Sequence, residues 1–139
     1  MTTPKTHPVP TPGTDRHFRR VIVESPFAGD IVRNIAYARS ALRDCLLRGE
    51  APFASHLIYT QEGVLDDDTP DERLLGMVAG MSWAAVGEAT VVYGDYGISR
   101  GMQYGIEHAE HAGRPVEMRT LPDFVLGWAS APPIRLYGP

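Results

Sequence analysis

The sequence predicts an α/β fold, a three-layer sandwich on a parallel, flavodoxin- or Rossmann-like sheet of about four to five strands in the order 2-1-3-4. From Arg20 onward, short β-branched runs alternate with longer segments of helical period, the signature of successive βα units. The runs are continuous in their apolar character, as strands covered on both faces are.

Each element has a local reason. Val21-Ile22-Val23 is a short apolar run and makes a buried first strand. It leads into Glu24-Ser25-Pro26-Phe27-Ala28-Gly29-Asp30, a loop whose last residue caps the next helix. That helix sets Ile31, Ile35, Ala38, Leu42 and Cys45 or Leu46 on one face, keeps Arg33, Arg39 and Arg43 off it, and stops at Gly49. Phe53 to Tyr59 reads as the second strand and carries His56 inside it, before a polar loop from Thr60 to Thr69. Thr69-Pro70-Asp71-Glu72 combines an N-cap, a proline at the first helical position and a capping-box glutamate. The helix that follows turns Leu74, Met77, Val78, Met81 and Ala84 or Ala85 inward and ends near Gly87. Ala89 to Tyr93 is the third strand; Ser99 caps a third helix with Met102, Ile106 and Ala109 inward and Gly113 as its stop. Pro115 to Arg119 is a fourth strand, placed near an edge by its proline.

Residues 1–17 hold Pro4, Pro8, Pro10 and Pro12 without apolar period and read as a flexible or extended tail. The α/β domain occupies 18–120, and 121–139 form a C-terminal arm, with a short strand at Phe124-Val125-Leu126 and with Trp128 and Ile134 to Tyr137 as packing residues.

The chain has 139 residues, 43% hydrophobic and 22% charged, enough for one core without covalent staples. Its single cysteine excludes a disulfide framework and any multi-cysteine metal site within one chain, and makes a reducing, cytoplasmic setting the expectation. Net charge is -4, but residues 1–20 carry Lys5, Arg16, Arg19 and Arg20 against Asp15 alone, so this basic N-terminal stretch is +3 and the remaining body -7. An acidic body disfavours duplex nucleic acid, and no apolar run is long enough to span a bilayer.

Ligands of open parallel sheets bind beyond the carboxyl ends of the strands, where strand order reverses. The loops that face each other there are Glu24 to Asp30 and Gly94 to Gly101, with the loop after Tyr59 as a wall. In Gly97-Ile98-Ser99-Arg100-Gly101-Met102, glycines before a helix admit a ligand to the backbone, and first-turn N–H groups with a Ser hydroxyl favour an anion. The plainer reading makes Ser99 an N-cap and Gly101 a packing contact. Ser25, Pro26 and Phe27 stand at the mouth of the crevice, and Tyr59 and Gln61 are placed to touch a ligand. Asp30 reads as a helix cap ahead of a catalyst, and His56 as a hydrogen-bonded structural histidine ahead of a ligand contact. Asp95 follows the third strand directly, as a holder of sugar hydroxyls or a base edge, or as a turn residue. Asp66-Asp67-Asp68 lacks the glycine spacing of a calcium loop, and His108 with His111 lies on what reads as an exposed face beside Glu107, Glu110 and Arg114, so no metal and no cofactor is expected.

Three separated stretches, Val21 to Asp30, Leu65-Asp66-Asp67-Asp68-Thr69-Pro70-Asp71-Glu72-Arg73 and Gly97 to Met102, resemble the small nucleoside 2-deoxyribosyltransferase-like proteins. They are most similar to an uncharacterised phage and bacterial branch of that group, DUF4406/DUF7768-like. The resemblance runs from about Arg20 to Arg119. It implies a nucleoside or nucleotide in the crevice, with Ser99 and the adjoining helix start at a 5'-phosphate. It also implies a glutamate nucleophile in a Ser-x-Gly-x-x-x-Glu pattern, but here Ser99 and Gly101 match while the glutamate position is Gly105. Glu107 lies about 200° further round the helix and is no simple replacement.

Two expectations follow. In the first the domain binds a nucleotide or nucleotide-derived molecule without covalent glycosyl chemistry. In the second it is an N-glycoside hydrolase or deoxyribosyltransferase acting on nucleoside monophosphates, with Asp95 or Glu24 as the acid. A homodimer or higher homo-oligomer is expected in either case, from the common state of the relatives and the apolar second helix.

Overall fold

The computed structural model describes residues 18–124, together with the backbone of two short strands, β1 (Thr6–Pro8) and β6 (Arg135–Tyr137). The central sheet comprises β2 (Arg19–Glu24), β3 (Glu50–Phe53), β4 (Ala89–Tyr93) and β5 (Val116–Arg119), all parallel, in the order β3-β2-β4-β5. This is the predicted 2-1-3-4 order. The helices are α1 (Ile31–Leu47), the single-turn α2 (Ser55–Ile58), α3 (Pro70–Ala84) and α4 (Arg100–His111).

Strand alternation decides what each face of the sheet meets. Val21 and Val23 of β2 join Ala89, Val91 and Tyr93 of β4 in a core with Tyr37, Ala41 and Cys45 of α1. Ile22 and Glu24 point to the opposite face, where Ile22 lies against Gly87 and Glu24 against Gly105 of α4. The central strand β4 is buried throughout, as a two-faced strand must be.

The second strand departs from expectation. It runs over Glu50–Phe53, and Ser55–Ile58 turns into α2. Short apolar runs such as Leu57-Ile58 fit either state, while the true strand is masked by Glu50 and Pro52. Pro52 is tolerated because β3 is an edge strand, and Glu50 is buried against the Arg119 guanidinium, with both bonds 2.7 Å long.

Two helix faces also differ from expectation. In α1 the buried side is Asn34, Tyr37, Ala38, Ala41 and Cys45, with Ile31 and Leu46 exposed, because the small residues let the helix sit close and Tyr37 reaches across the strand ends. In α3 the buried residues are Gly80 and Ala84, while Leu74 and Val78 face outward. A Cβ at Gly80 would lie 2.8 Å from Ser55 Cβ, so the glycine is what lets α3 press on α2. The expected capping box of α3 is absent: Thr69 Oγ1 donates to Asp66 and Glu72 accepts from the Asp66 N–H, which ties the Asp66–Asp68 loop to the helix start.

β1 pairs in parallel with β6, so residues from both terminal segments form a separate two-stranded sheet. Of the expected strand at 124–126, Phe124 lies in a turn closed by its N–H on Leu121 O. Val125, Leu126 and Trp128 lie outside the described residues.

Candidate functional site

A cavity of about 360 Å³ opens on the α3/α4 face, beyond the carboxyl ends of β2 and β3. The loop after β2 enters it with Glu24, Ser25 and Phe27. Buried Asn34 holds that loop in place by donating from Nδ2 to the carbonyls of Phe27 (2.8 Å) and Ala28 (3.1 Å). Phe53, His56 and Tyr59 form a second wall, and Met77 and Met81 of α3 a third. Tyr104 of α4 reaches over to Met81, its hydroxyl 3.9 Å from Sδ.

The start of α4 supplies the fourth wall, with Ser99, Arg100, Gly101 and Met102. Ser99 Oγ accepts from the Met102 N–H at 3.2 Å, and Ser99 O accepts from Gln103 N at 2.9 Å. The N–H groups of Arg100 and Gly101 therefore have no acceptor among the described residues, as expected of the first turn of a helix. Nothing lies within 4 Å of where a Cβ on Gly101 would be, so the backbone is open to a ligand there.

On the cavity floor, the Glu24 carboxyl lies directly against Gly105. A Cβ at position 105 would overlap Oε1 and Cδ of Glu24 and lie 2.9 Å from Oε2. The Glu24 carboxyl makes no hydrogen bond or ion pair with the described residues. Burial pushes its carboxyl up to about 8, partly opposed by the positive charge of Arg114. At neutral pH the group is therefore protonated, and it can donate as well as accept a hydrogen bond. Arg114 is only 9% exposed and is held by Thr90 Oγ1 (2.9 Å), the Ala84 carbonyl (2.9 Å) and His108 Nδ1 (3.4 Å).

Ser25 Oγ lies 2.7 Å from His56 Nε2. Burial lowers the His56 imidazole to about 4, so it is uncharged at neutral pH.

Against this geometry the chain's relatives can be compared. The family model described as a domain of unknown function, DUF7768, matches residues 19–119, most of the chain. The chain belongs to the DUF7768 family. Among solved structures, the domain is similar to a 2-deoxyribosyltransferase from the psychrotolerant bacterium Bacillus psychrosaccharolyticus, an enzyme characterised as a biocatalyst for nucleoside synthesis. The TM-score is 0.53 and the identity 16%, over 78% of this chain and 77% of that one. At that identity the likeness shows the fold. No curated protein matches the chain significantly.

Within this DUF7768 domain the cavity brings together Glu24, Ser25, Phe27, Tyr59, Ser99, Arg100, Gly101 and Met102 from the sequence-predicted set. The remaining five lie off its lining. Asp95 turns to the α1 face, where Tyr37 donates to its Oδ2 at 2.5 Å and the Leu121 N–H at 2.8 Å. Tyr37 is wedged edge-on between Tyr96 and Phe124, with ring centroids at 4.9 and 5.2 Å, which fixes that arrangement. Asp30 caps α1, accepting from Arg33 N at 3.1 Å. Gln61 donates to the Ile58 carbonyl, Pro26 is buried, and Gly97 holds a turn at φ +83°.

Sequence reasoning missed three contributors. Arg114 and His108 were assigned to an exposed face of the last helix, but Arg114 folds under the sheet end and His108 lines the cavity. Tyr104 carried no signal beyond being aromatic. Among the described residues no group of three His, Cys, Asp or Glu side chains is arranged to hold a metal ion, and no helix is long and apolar enough to cross a membrane.

Proposed function

We propose that this domain binds a nucleoside or nucleotide-derived small molecule in the cavity between the β2 end and α4. The observation that carries the reading is the start of α4. Arg100 and Gly101, whose N–H groups have no acceptor among the described residues and the second of which has open space where a Cβ would be, line a cavity walled by Phe27, Tyr59 and Tyr104. A phosphate suits the helix start, where the partial positive charge of the dipole lies, and aromatic rings suit a base or sugar. The similarity to a 2-deoxyribosyltransferase supports a nucleoside-related ligand.

Thermal unfolding in the presence of nucleosides and their 5'-monophosphates tests this. A ligand at a hundred times its Kd stabilises by about 2.7 kcal/mol. The monophosphate is expected to stabilise more than its nucleoside, and Gly101→Leu to abolish both shifts. Absence of any shift across the common bases overturns the reading.

A second reading is favoured by the Glu24 carboxyl at Gly105. Glu24 then protonates the leaving base of an N-glycoside, acting as acid from the end of β2, and Asp95 takes no part. A carboxyl protonated at neutral pH fits an acid better than a nucleophile. Release of free base from a nucleoside monophosphate, lost in Glu24→Gln and retained in a folded Asp95→Asn, supports it. Binding without release leaves the domain a binding module.

A further inference from the structure

The Ser25 hydroxyl and the His56 imidazole reach the cavity from the ends of two neighbouring strands, and the binding reading above uses neither. Their 2.7 Å contact is within the reach of proton transfer. His56 is fixed at the first turn of α2, and its own carbonyl accepts from Thr60 Oγ1 at 2.5 Å. Burial leaves its ring uncharged at neutral pH with a lone pair on one nitrogen, and also a weaker base than a solvated histidine, so the activation of Ser25 rests on the 2.7 Å contact. Arg100 and Gly101, whose N–H groups have no acceptor among the described residues, line the same cavity, and its walls at Phe53, Leu65 and Met77 are apolar.

We propose that Ser25 is a nucleophile and His56 its general base, and that the cavity takes a small carboxylic ester. The step uses the imidazole tautomer with its proton on Nδ1. Ser25 Oγ adds to the ester carbonyl carbon while its proton passes to His56 Nε2, and the oxyanion forms within a cavity that offers free backbone N–H donors. Collapse breaks the bond between the acyl carbon and the alcohol oxygen, and His56 returns its proton to that oxygen as the alcohol leaves. Water then adds to the acyl carbon of acyl-Ser25 and gives its proton to His56. The bond to Ser25 Oγ breaks, the proton returns to it, and a carboxylic acid is released. Ester and water become alcohol and acid, with no other reactant.

Diisopropyl fluorophosphate tests the pair directly, since it phosphorylates activated serines with loss of fluoride. The folded chain is expected to gain one adduct, mapped by peptide mass to Ser25, while chain unfolded in urea gains none there. His56→Gln is expected to slow labelling by about 100-fold or more, and the native chain to hydrolyse p-nitrophenyl acetate with a burst that Ser25→Ala removes. An unlabelled Ser25 in the folded chain overturns the proposal, as does an unchanged labelling rate in folded His56→Gln. If His56→Gln fails to fold, the contrast between native and urea-unfolded chain decides. Nucleoside binding is a separate outcome, so either proposal can fail without the other.

Discussion

Glu24 and Gly105 share one volume. The carboxyl at the end of β2 fills the space in which a side chain on α4 would begin, so only one of the two positions can carry a group there. Gly105→Ala is therefore expected to cost about 1–3 kcal/mol by overpacking. The cost should largely vanish in Glu24→Gly, giving a coupling of about 1–3 kcal/mol in a double-mutant cycle measured by urea unfolding. Additive effects would mean that the two residues do not meet.

Glu24 and His56 give the stability a definite pH profile. The Glu24 carboxyl is raised from 4.5 to about 8 on folding, so the native state holds the extra proton and stability falls as pH rises between those values. His56 is lowered from 6.5 to about 4, so its contribution is lost as pH falls through that window. The two slopes oppose each other between about 4.5 and 6.5, and Glu24 alone remains between 6.5 and 8. Relative to Glu24→Gln, the native protein is expected to lose stability across that upper window at up to about 1.4 kcal/mol per pH unit. Parallel curves for the two proteins would contradict the raised carboxyl.

Asp95 is expected to matter for folding and not for the cavity. Asp95→Ala leaves the buried Tyr37 hydroxyl and the Leu121 N–H without their acceptor, a loss of about 1–3 kcal/mol in unfolding free energy. Isothermal titration of the folded variant with a nucleoside monophosphate should give an unchanged Kd.

Ser99→Ala removes the side-chain cap on Met102 N, at about 1 kcal/mol. Weakening of a phosphate-bearing ligand by more than its nucleoside would place the phosphate at the start of α4; equal weakening would place it elsewhere.

One side of α3 exposes Leu74, Leu75 and Val78. A second copy of the chain is expected to cover it, and sedimentation should give a mass above that of the monomer which Leu75→Glu reduces. A monomer at high concentration would dismiss the idea.

The strands with two buried faces were legible as unbroken apolar runs, and the start of α4 was legible from Ser99 and its glycines. Strand β3 was not, because its residues answer to tertiary partners: Glu50 to Arg119, and Pro52 to the free edge of the sheet. The buried face of α3 was misread for a related reason. Hydrophobic period marks bulky side chains as inward, whereas Gly80 is chosen for how closely α2 approaches it.

The sequence by itself determined the parallel sheet, its strand order and the absence of a carboxylate at position 105, which rest on local period, the hand of the crossovers and residue type. Only the tertiary structure decided which of the two candidate acids, Asp95 or Glu24, lines the cavity. Asp95 and Glu24 follow neighbouring strands and look equivalent along the chain, but the pleat sends Glu24 to the α4 face, into the space above Gly105, while Tyr37 holds Asp95 on the other. That choice depends on which side of the sheet each side chain leaves from and on what waits there, and both are properties of packing.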